Sequence, residues 1–542
     1  MRPTPTLSDR TRRSIDSLSL IVFCAYLFVL GLQLIGLVGV DEPRYAQVAR
    51  EMFARHDWVT PFLYGQPWLE KPPLYYWCAM LAYKGAGGVS DTAARLPSAI
   101  LATLLIVFTY VWARRFRPGM QLDAALITAS AAMVVGFGRG ASTDMPLAAT
   151  FTAAMLCWYG WHASRGRGWL LGFYLFLALA TLAKGPVAVL LAGLIILLFA
   201  GLRREGRLVL RTLQPIGLAL YLVVAAPWFI AVQHANPQFL RAFFLQQNLE
   251  RYTSNLYHHR EPFWFFLPLA LLALMPWTVF VIEAVVDAVR DWRFSARQAA
   301  GQEDLRLYLA IWLLVPIIFF SFSQSKLPGY ILPAIPAGTI LLADFILRRE
   351  QQDAKPANWL TLLHAVLSAA MLAACFLVSF KLVKVTPSAV VLVVTASLAA
   401  VTILMLWLTL QTQGYNILRF ATLVPVVIGF ALLLRGTAPI INILQSQRLV
   451  AASLDQTEIG RIPDIAVYDV SPAVRYGLAF YRNHAVLNYE QNEVPAGDHI
   501  VVAASGTQTE LQYRLPGRKV VLFGGFQPQH LDFYLVSATP HP

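Results

Sequence analysis

The chain has 542 residues with a formal net charge of +13, yet only 13% are charged while 57% are hydrophobic, and its mean hydropathy is +0.56. A soluble domain carries roughly 25% charged residues, so this composition excludes one and places the chain in lipid. The basic residues lie mainly between apolar runs, where they orient a membrane protein, and this argues against nucleic acid as a partner.

Apolar runs such as Leu18 to Leu37, Leu96 to Trp112 and Leu170 to Leu182 approach the roughly 20 residues that cross a hydrocarbon core. Taken in chain order, about thirteen spans start near residues 17, 93, 123, 143, 168, 185, 213, 264, 307, 328, 359, 386 and 416. The stretch Leu74 to Leu81 and the close pairs around 139 and 184 leave the count open by one or two. No small-residue cleavage site follows the first run, so no signal peptide is expected. Cys24, Cys78, Cys157 and Cys375 sit in or beside apolar runs at unrelated spacings, which speaks against a disulfide framework or a cysteine zinc cluster.

Alternate loops differ in basic content, as the positive-inside rule requires. One set holds Arg114, Arg115 and Arg117, then Arg165 and Arg167, Arg203, Arg204, Arg207 and Arg211, Arg290, Arg293 and Arg297, and Arg348, Arg349 and Lys355. The opposite loops are short, as at Arg139 to Asp144, or long and rich in aromatics and prolines, as at Asp41 to Lys71; that long loop also carries basic residues, balanced by acids. A cytoplasmic N-terminus with an odd number of spans puts the tail outside. The expected organisation is a membrane domain over residues 1–444, with periplasmic loops near 38–92 and 234–263, and a periplasmic domain over 445–542. In the tail, strand-like runs (Ile465 to Val470, His499 to Ala504, Lys519 to Phe523, Asp532 to Val536) flank a helical stretch near Pro472 to Tyr481, which predicts a small α/β domain without an assigned chemistry.

Ionisable residues at the edges of spans are expensive and default to function. Those on the outer side are Asp41, Arg44, Glu70, Lys71, Asp144, Lys184, Arg251, His258, His259 and Lys326. In Asp41-Glu42-Pro43-Arg44-Tyr45-Ala46 the pattern predicts an interfacial helix with Tyr45, Ala49, Met52 and Phe53 on one face, opposite Gln47, Glu51 and Arg55. The plainer role for Asp41 is a helix cap, for Lys71, Lys184 and Lys326 snorkelling to the headgroups, for the aromatics of Trp68 to Trp77 a membrane belt, and for Asp144 a cap on the next span. Lys184 and Lys326 each set a positive charge beside chain-bending Gly and Pro, which suits a lipid phosphate.

The segments DEPRYA (41–46), EKPPLYYW (70–77), TLAKGPVA (181–188) and SKLPGYILP (325–333), in this order and on one side, resemble the bacterial aminoarabinose lipid A transferase family within the protein O-mannosyltransferase superfamily. The resemblance implies a GT-C type fold: an all-α polytopic membrane domain of about thirteen helices with a small C-terminal α/β periplasmic domain. It implies that Asp41 and Glu70 are the site carboxylates and that Arg44, Tyr45, Lys71, Tyr75, Asp144, Lys184, Arg251, Lys326 and Tyr330 bind substrates and carrier phosphate. It also implies a divalent metal, zinc or similar, on a loop-one glutamate and a histidine. The stretch Gln246 to Arg251 lacks that histidine, which leaves His258 and His259 as candidate ligands beside Glu70.

The expected activity is an inverting transfer of 4-amino-4-deoxy-L-arabinose from undecaprenyl phosphate to lipid A phosphate at the periplasmic face of a bacterial inner membrane, with no nucleotide. A paralogue with another sugar or a protein or glycan acceptor shares the same motifs. A lipid or sugar transporter would instead show repeated halves and polar residues near mid-bilayer, and the chain shows no internal repeat.

Overall fold

The computed structural model describes residues 9–243, 250, 261–295, 302–457, 459, 462, 464–491 and 493–537. Helices α1 (Asp9–Cys24), α2 (Asp41–Arg55), α3 (Leu74–Gly85), α4 (Asp91–Phe116), α5 (Gln121–Ser130), α6 (Ala132–Gly138), α7 (Asp144–Ser164), α8 (Arg167–Lys184), α9 (Val187–Leu202), α10 (Gly206–Thr212) and α11 (Pro215–Ala235) form the first half, with strands β1 (Phe62–Leu63) and β2 (Gln66–Pro67) in loop one. Then come α12 (Phe266–Ala273), α13 (Thr278–Ser295), α14 (Gln302–Ser321), α15 (Ile335–Gln351), α16 (Asn358–Leu382), α17 (Ala389–Gln413), α18 (Leu418–Leu432), α19 (Ala438–Gln445) and α20 (Arg448–Asp455).

Among the described residues eight helices are long and apolar enough to cross a membrane, and ten if each of two bent pairs is one span. The other expected starts, near 143 and 185, fall on α7 and on the shorter apolar helix α9, and those near 386 and 416 fall in the one continuous stretch Ala389–Gln445, which a 3-10 turn at Gly414 divides. Helix α7 is buried on nearly every side, with Phe151 and Trp158 fully enclosed, as a helix apolar all round should be.

The two bent pairs explain each other. Helices α5 and α6 meet at 67° and α12 and α13 at 110°, and each break frees backbone groups that lipid cannot satisfy. Ala132 N–H donates to the Met275 carbonyl at 2.9 Å, and Trp277 Nε1 donates to Ser130 Oγ at 3.0 Å. The breaks thus pair with one another, and α6 and α12 are left as the walls of a cavity described below.

At the far end of the bundle, several arginines of the basic loops are tied to carboxylates: Arg117 Nε to Asp344 at 2.6 Å, Arg348 to Asp287 at 2.5 Å, and Arg419 to Asp123 at 2.6 Å. These loop charges therefore also fasten helix to helix.

The C-terminal domain adds β3 (Ile465–Tyr468), α21 (Pro472–Arg482), β4 (Val486–Asn488), β5 (His499–Ala504), α22 (Gln508–Arg514), β6 (Lys519–Phe526) and β7 (Leu531–Ser537). The strands form one sheet in the order β4-β3-β5-β7-β6, with β4, β3 and β5 parallel and β7 antiparallel to both neighbours. Alternation along the strands fills both faces: Ile465, Val467, Ile500 and Val502 pack with α20 and α21, while Ala466, Val501 and Ala503 pack with Leu511 and Leu515.

His499 is buried at the start of β5, bonded to the Tyr489 hydroxyl and, through Nδ1, 2.7 Å from the Gly497 carbonyl oxygen. Burial first, only partly opposed by the Gly497 contact, holds its pKa below the usual value. Its contribution to stability is therefore full above the unfolded-state pKa of about 6.5 and is lost as the pH falls from there through the lower folded value. Hydrogen exchange of β5 and β7 should accelerate between neutral and mildly acidic pH, and His499→Phe should flatten that acid dependence; an equally steep profile in the variant would contradict this.

Candidate functional site

The first loop begins the site. Helix α2 starts at Asp41 itself, with Val40 as the residue before it, so Asp41 does not cap the helix; its carboxylate pairs with Arg44 one turn on. The Arg44 guanidinium lies 5.3 Å from the rings of both Tyr45 and Trp68 and 5.7 Å from Tyr476 of the C-terminal domain. Burial disfavours its charge, but Tyr45, Asp41 and Glu70 around it outweigh burial and raise its pKa. Helix α2 is not simply laid on the membrane as its pattern suggests. It is sandwiched between α3 and α21, so Gln47, expected on the polar face, is buried.

The end of loop one folds back under this helix. Lys71 is buried beside Pro72 and Pro73, and Leu69 packs with Leu182 two residues before Lys184. Lys184 is the last residue of α8, where Gly185 takes a left-handed φ of 97° and Pro186 precedes α9. That turn leaves the ammonium at the helix tip, paired with Asp144 at the start of α7 and 5.1 Å from the centre of the Tyr330 ring. A Cβ at Gly329 would overlap the Asp144 carboxylate, so only glycine lets this segment approach. Lys326 Nζ donates to the Ser323 carbonyl at 2.5 Å and the Glu261 carbonyl at 3.0 Å, bonds that brace the turn leading to Tyr330.

Tyr45 lies beside the first of these pairs, under the Arg44 guanidinium. It is enclosed, and burial, then Asp41, and more weakly Tyr76 and Asp144 push its hydroxyl pKa well up. It therefore stands protonated beside the Asp41–Arg44 pair. Among the described residues, Arg44 Nε is buried without a hydrogen-bond partner, as are Thr143 Oγ1, next to Asp144 in the chain, and Ser325 Oγ, next to Lys326.

A cavity of about 740 Å³ opens beside Asp41 and Asp144. Its polar wall includes Glu42, Arg95 and Arg139, and its apolar wall includes Leu269, Leu272 and Ile441, a division that suits an amphipathic lipid. Arg139 donates to the Leu27 carbonyl at 2.8 Å and lies 5.0 Å from the Phe430 ring. Burial, and then Arg95, push it down to about 10, so it remains a cation near neutral pH.

Glu42 locks the wall in place. It accepts from Arg95 Nε at 2.9 Å and Nη2 at 2.5 Å, from Val38 N–H at 2.9 Å and from Ala141 N–H at 2.8 Å. Neither Glu42, Arg95, Arg139 nor Tyr476 stands out in the sequence as a site residue. The available signal for Arg139 was a cation in a very short loop on the same side as Asp144.

The structure brings Asp41, Arg44 and Tyr45 together with Glu70, and Asp144 together with Lys184 and Tyr330. The Tyr75 ring packs 6.2 Å from that of Tyr45, but the residue is fully buried and its hydroxyl donates to the Ala94 carbonyl at 2.9 Å, which turns its polar end into the core and away from a substrate. Arg251, His258 and His259 lie outside the described residues. Among the described residues no three His, Cys, Asp or Glu side chains are grouped to hold a metal ion.

Residues 70–230 match the dolichyl-phosphate-mannose-protein mannosyltransferase family. Two curated relatives named undecaprenyl phosphate-alpha-4-amino-4-deoxy-L-arabinose arabinosyl transferase are each 31% identical: that of Edwardsiella ictaluri over 347 residues and that of Pseudomonas aeruginosa over 345. Each match takes in 62% of this chain and spans about three fifths of the relative's own length, 60% and 61%. The crystal structure of ArnT from Cupriavidus metallidurans bound to undecaprenyl phosphate superposes with a TM-score of 0.77 at 24% identity, covering 99% of this chain and 100% of that one. The archaeal oligosaccharyltransferase AglB from Archaeoglobus fulgidus follows at 0.51, with 12% identity over 93% of this chain and 70% of its own. The four motifs thus point where both comparisons point: this multi-pass membrane protein is similar in sequence to the aminoarabinose transferases and shares, from end to end, the fold of the Cupriavidus structure.

Proposed function

We propose that the chain transfers a sugar, 4-amino-4-deoxy-L-arabinose, from undecaprenyl phosphate to a phosphate of lipid A, at the periplasmic face of a bacterial inner membrane. The observation that carries this reading is a single cavity lined by both Asp41 and Asp144, each carboxylate paired with a cation, Arg44 or Lys184. Supporting it are the named activity of the relatives and the undecaprenyl phosphate bound in the Cupriavidus structure.

In the proposed reaction an acceptor phosphate oxygen attacks the anomeric carbon, and the bond from that carbon to the carrier phosphate breaks with its electron pair leaving on the phosphate. Inversion follows from attack opposite the leaving group. The acceptor is already ionised, so no base is required; the barrier is lowered where fixed cations meet the charge growing on the leaving phosphate. Arg44, Lys71 and Lys184 fill that role, together with Arg251. Lys326 and Tyr330 brace the turn that faces Lys184. Asp41 and Asp144 hold two of these cations in place, and Glu70 adds a third carboxylate beside Arg44. Glu70 is the described member of the proposed metal ligand set with His258 and His259. A divalent ion there would add positive charge next to Arg44.

The test is mass spectrometry of lipid A from a bacterium without its own aminoarabinose transferase, complemented with this chain or with Asp41→Asn. Aminoarabinose-modified lipid A is expected only with the intact chain. Modification by the variant at the wild-type level would remove Asp41 from the site, and unmodified lipid A despite good expression of the intact chain would redirect the reading to another sugar or acceptor.

A further inference from the structure

The C-terminal domain carries a cavity of its own, about 790 Å³, where it meets the membrane domain. Its position follows from the sheet. From β3 the chain crosses through α21 to β4 on one side, and from β5 it crosses through α22 to β6 on the other. Adjacent parallel strands whose crossovers diverge leave a crevice beyond their carboxyl ends, which is where open α/β sheets bind ligands. Asp469 and Ser471, just after β3, and Ala504, at the end of β5, line this crevice.

The crevice is closed from the membrane side by Leu382 to Lys384, at the end of α16, and by Leu444, Gln445 and Gln447. Gln447 is 3% exposed; its amide donates to Gln529 Oε1 at 2.9 Å, and its own Oε1 is buried without a donor. The lining offers the Asp469 carboxylate and the Ser471 hydroxyl among apolar Leu444 and Val474, with Lys384 and His530 as basic groups. Hydroxyl groups on an amphipathic ring answer the first set, and a phosphate answers the second.

Gly39 and Gln445 line both this crevice and the cavity beside Asp41. Between the two, Val38 pairs with Ser446 in a single antiparallel bridge. A headgroup lying over Gly39 would thus reach from Asp41 to the C-terminal domain. We propose that the crevice is a subsite for a phosphorylated saccharide, reading the part of the acceptor lipid headgroup remote from the reacting phosphate. This rests on the transfer to lipid A proposed above.

The experiment uses the full-length protein in detergent with a fixed aminoarabinose donor and two acceptors: a lipid with a bisphosphorylated disaccharide headgroup and a lipid with a single phosphorylated sugar. Ser471 is exposed and makes no capping hydrogen bond, so Ser471→Trp fills the crevice mouth with little risk to the fold. The variant should raise KM for the disaccharide acceptor about tenfold, the loss of roughly one good contact, and leave kcat, the donor KM and the single-sugar acceptor unchanged. Ser471→Ala, which removes only the hydroxyl, should raise the same KM by less than Ser471→Trp does and likewise leave the single-sugar acceptor unchanged. Equal effects on both acceptors, or none on either, would overturn the subsite.

If wild type modifies neither acceptor, the proposed activity fails, and binding decides the subsite. Saturation-transfer NMR with the acyl-free bisphosphorylated disaccharide should then show contact with wild type that Ser471→Trp abolishes. Absence of contact with wild type would overturn the proposal.

Discussion

Glu42→Ala should destabilise the protein by about 3–5 kcal/mol, the range for removing one partner of a buried ion pair. The side chains of Arg95 and Glu42 are only 6% and 13% exposed, so water cannot replace the missing carboxylate. Arg95 would keep the carbonyls of Leu32, Ile35 and Gly36, but its charge would have lost its counter-ion. Val38 and Ala141 would each lose the acceptor for a backbone N–H. Because Val38 leads into Asp41 and Ala141 leads into Asp144, loosening both should also misplace the two site carboxylates. Thermal unfolding in detergent is the measurement. Glu42→Ala combined with Arg95→Met should recover part of the loss, since the uncompensated charge goes with it. A single variant that melts with wild type, or a double variant that loses the sum of what the two single variants lose, would show that Glu42 and Arg95 are not coupled as a buried pair.

The hydropathy pattern carried most of the membrane architecture, because a bilayer of fixed thickness imposes a length on every span. The predicted starts near 123 and 264 were right in position, yet the helices there are broken. Hydropathy is insensitive to a break whose freed backbone is satisfied by a distant residue, as Ala132 is by Met275. Asp41, Arg44, Asp144 and Lys184 stood out in the sequence as charges at the edges of apolar runs, where an ionisable group is expensive, and the structure pairs them as Asp41 with Arg44 and Asp144 with Lys184.

Glu42 was hidden by its neighbour: two acids at a helix start look alike, and only the fold shows that Asp41 faces Arg44 while Glu42 faces Arg95. The burial of Gln47 and the reach of Tyr476 to Arg44 depend on where the C-terminal domain docks, which no local periodicity encodes. Tyr75 was drawn toward the site by its place in a motif, but its hydroxyl ends on Ala94 in the core.

Lys184→Met is expected to lower kcat/KM by about 10²–10³, the cost of removing one preorganised group that stabilises developing charge. The ammonium has three donors. Its bond to Asp144 and its place by the Tyr330 ring orient it, and the remaining donors are those proposed to meet the carrier phosphate. If that is its work, kcat should fall more than KM rises, because the phosphate gains charge as the sugar departs. Lys184→Arg should recover only part of the rate, since a planar fork does not reproduce a point charge at a helix tip. Asp144→Asn should act through the same ammonium, so the double variant with Lys184→Met should be no worse than Lys184→Met alone. Losses that instead multiply would mean that Asp144 contacts substrate on its own account. A Lys184→Met enzyme with wild-type kcat would place the leaving phosphate elsewhere, with Arg44 and Lys71.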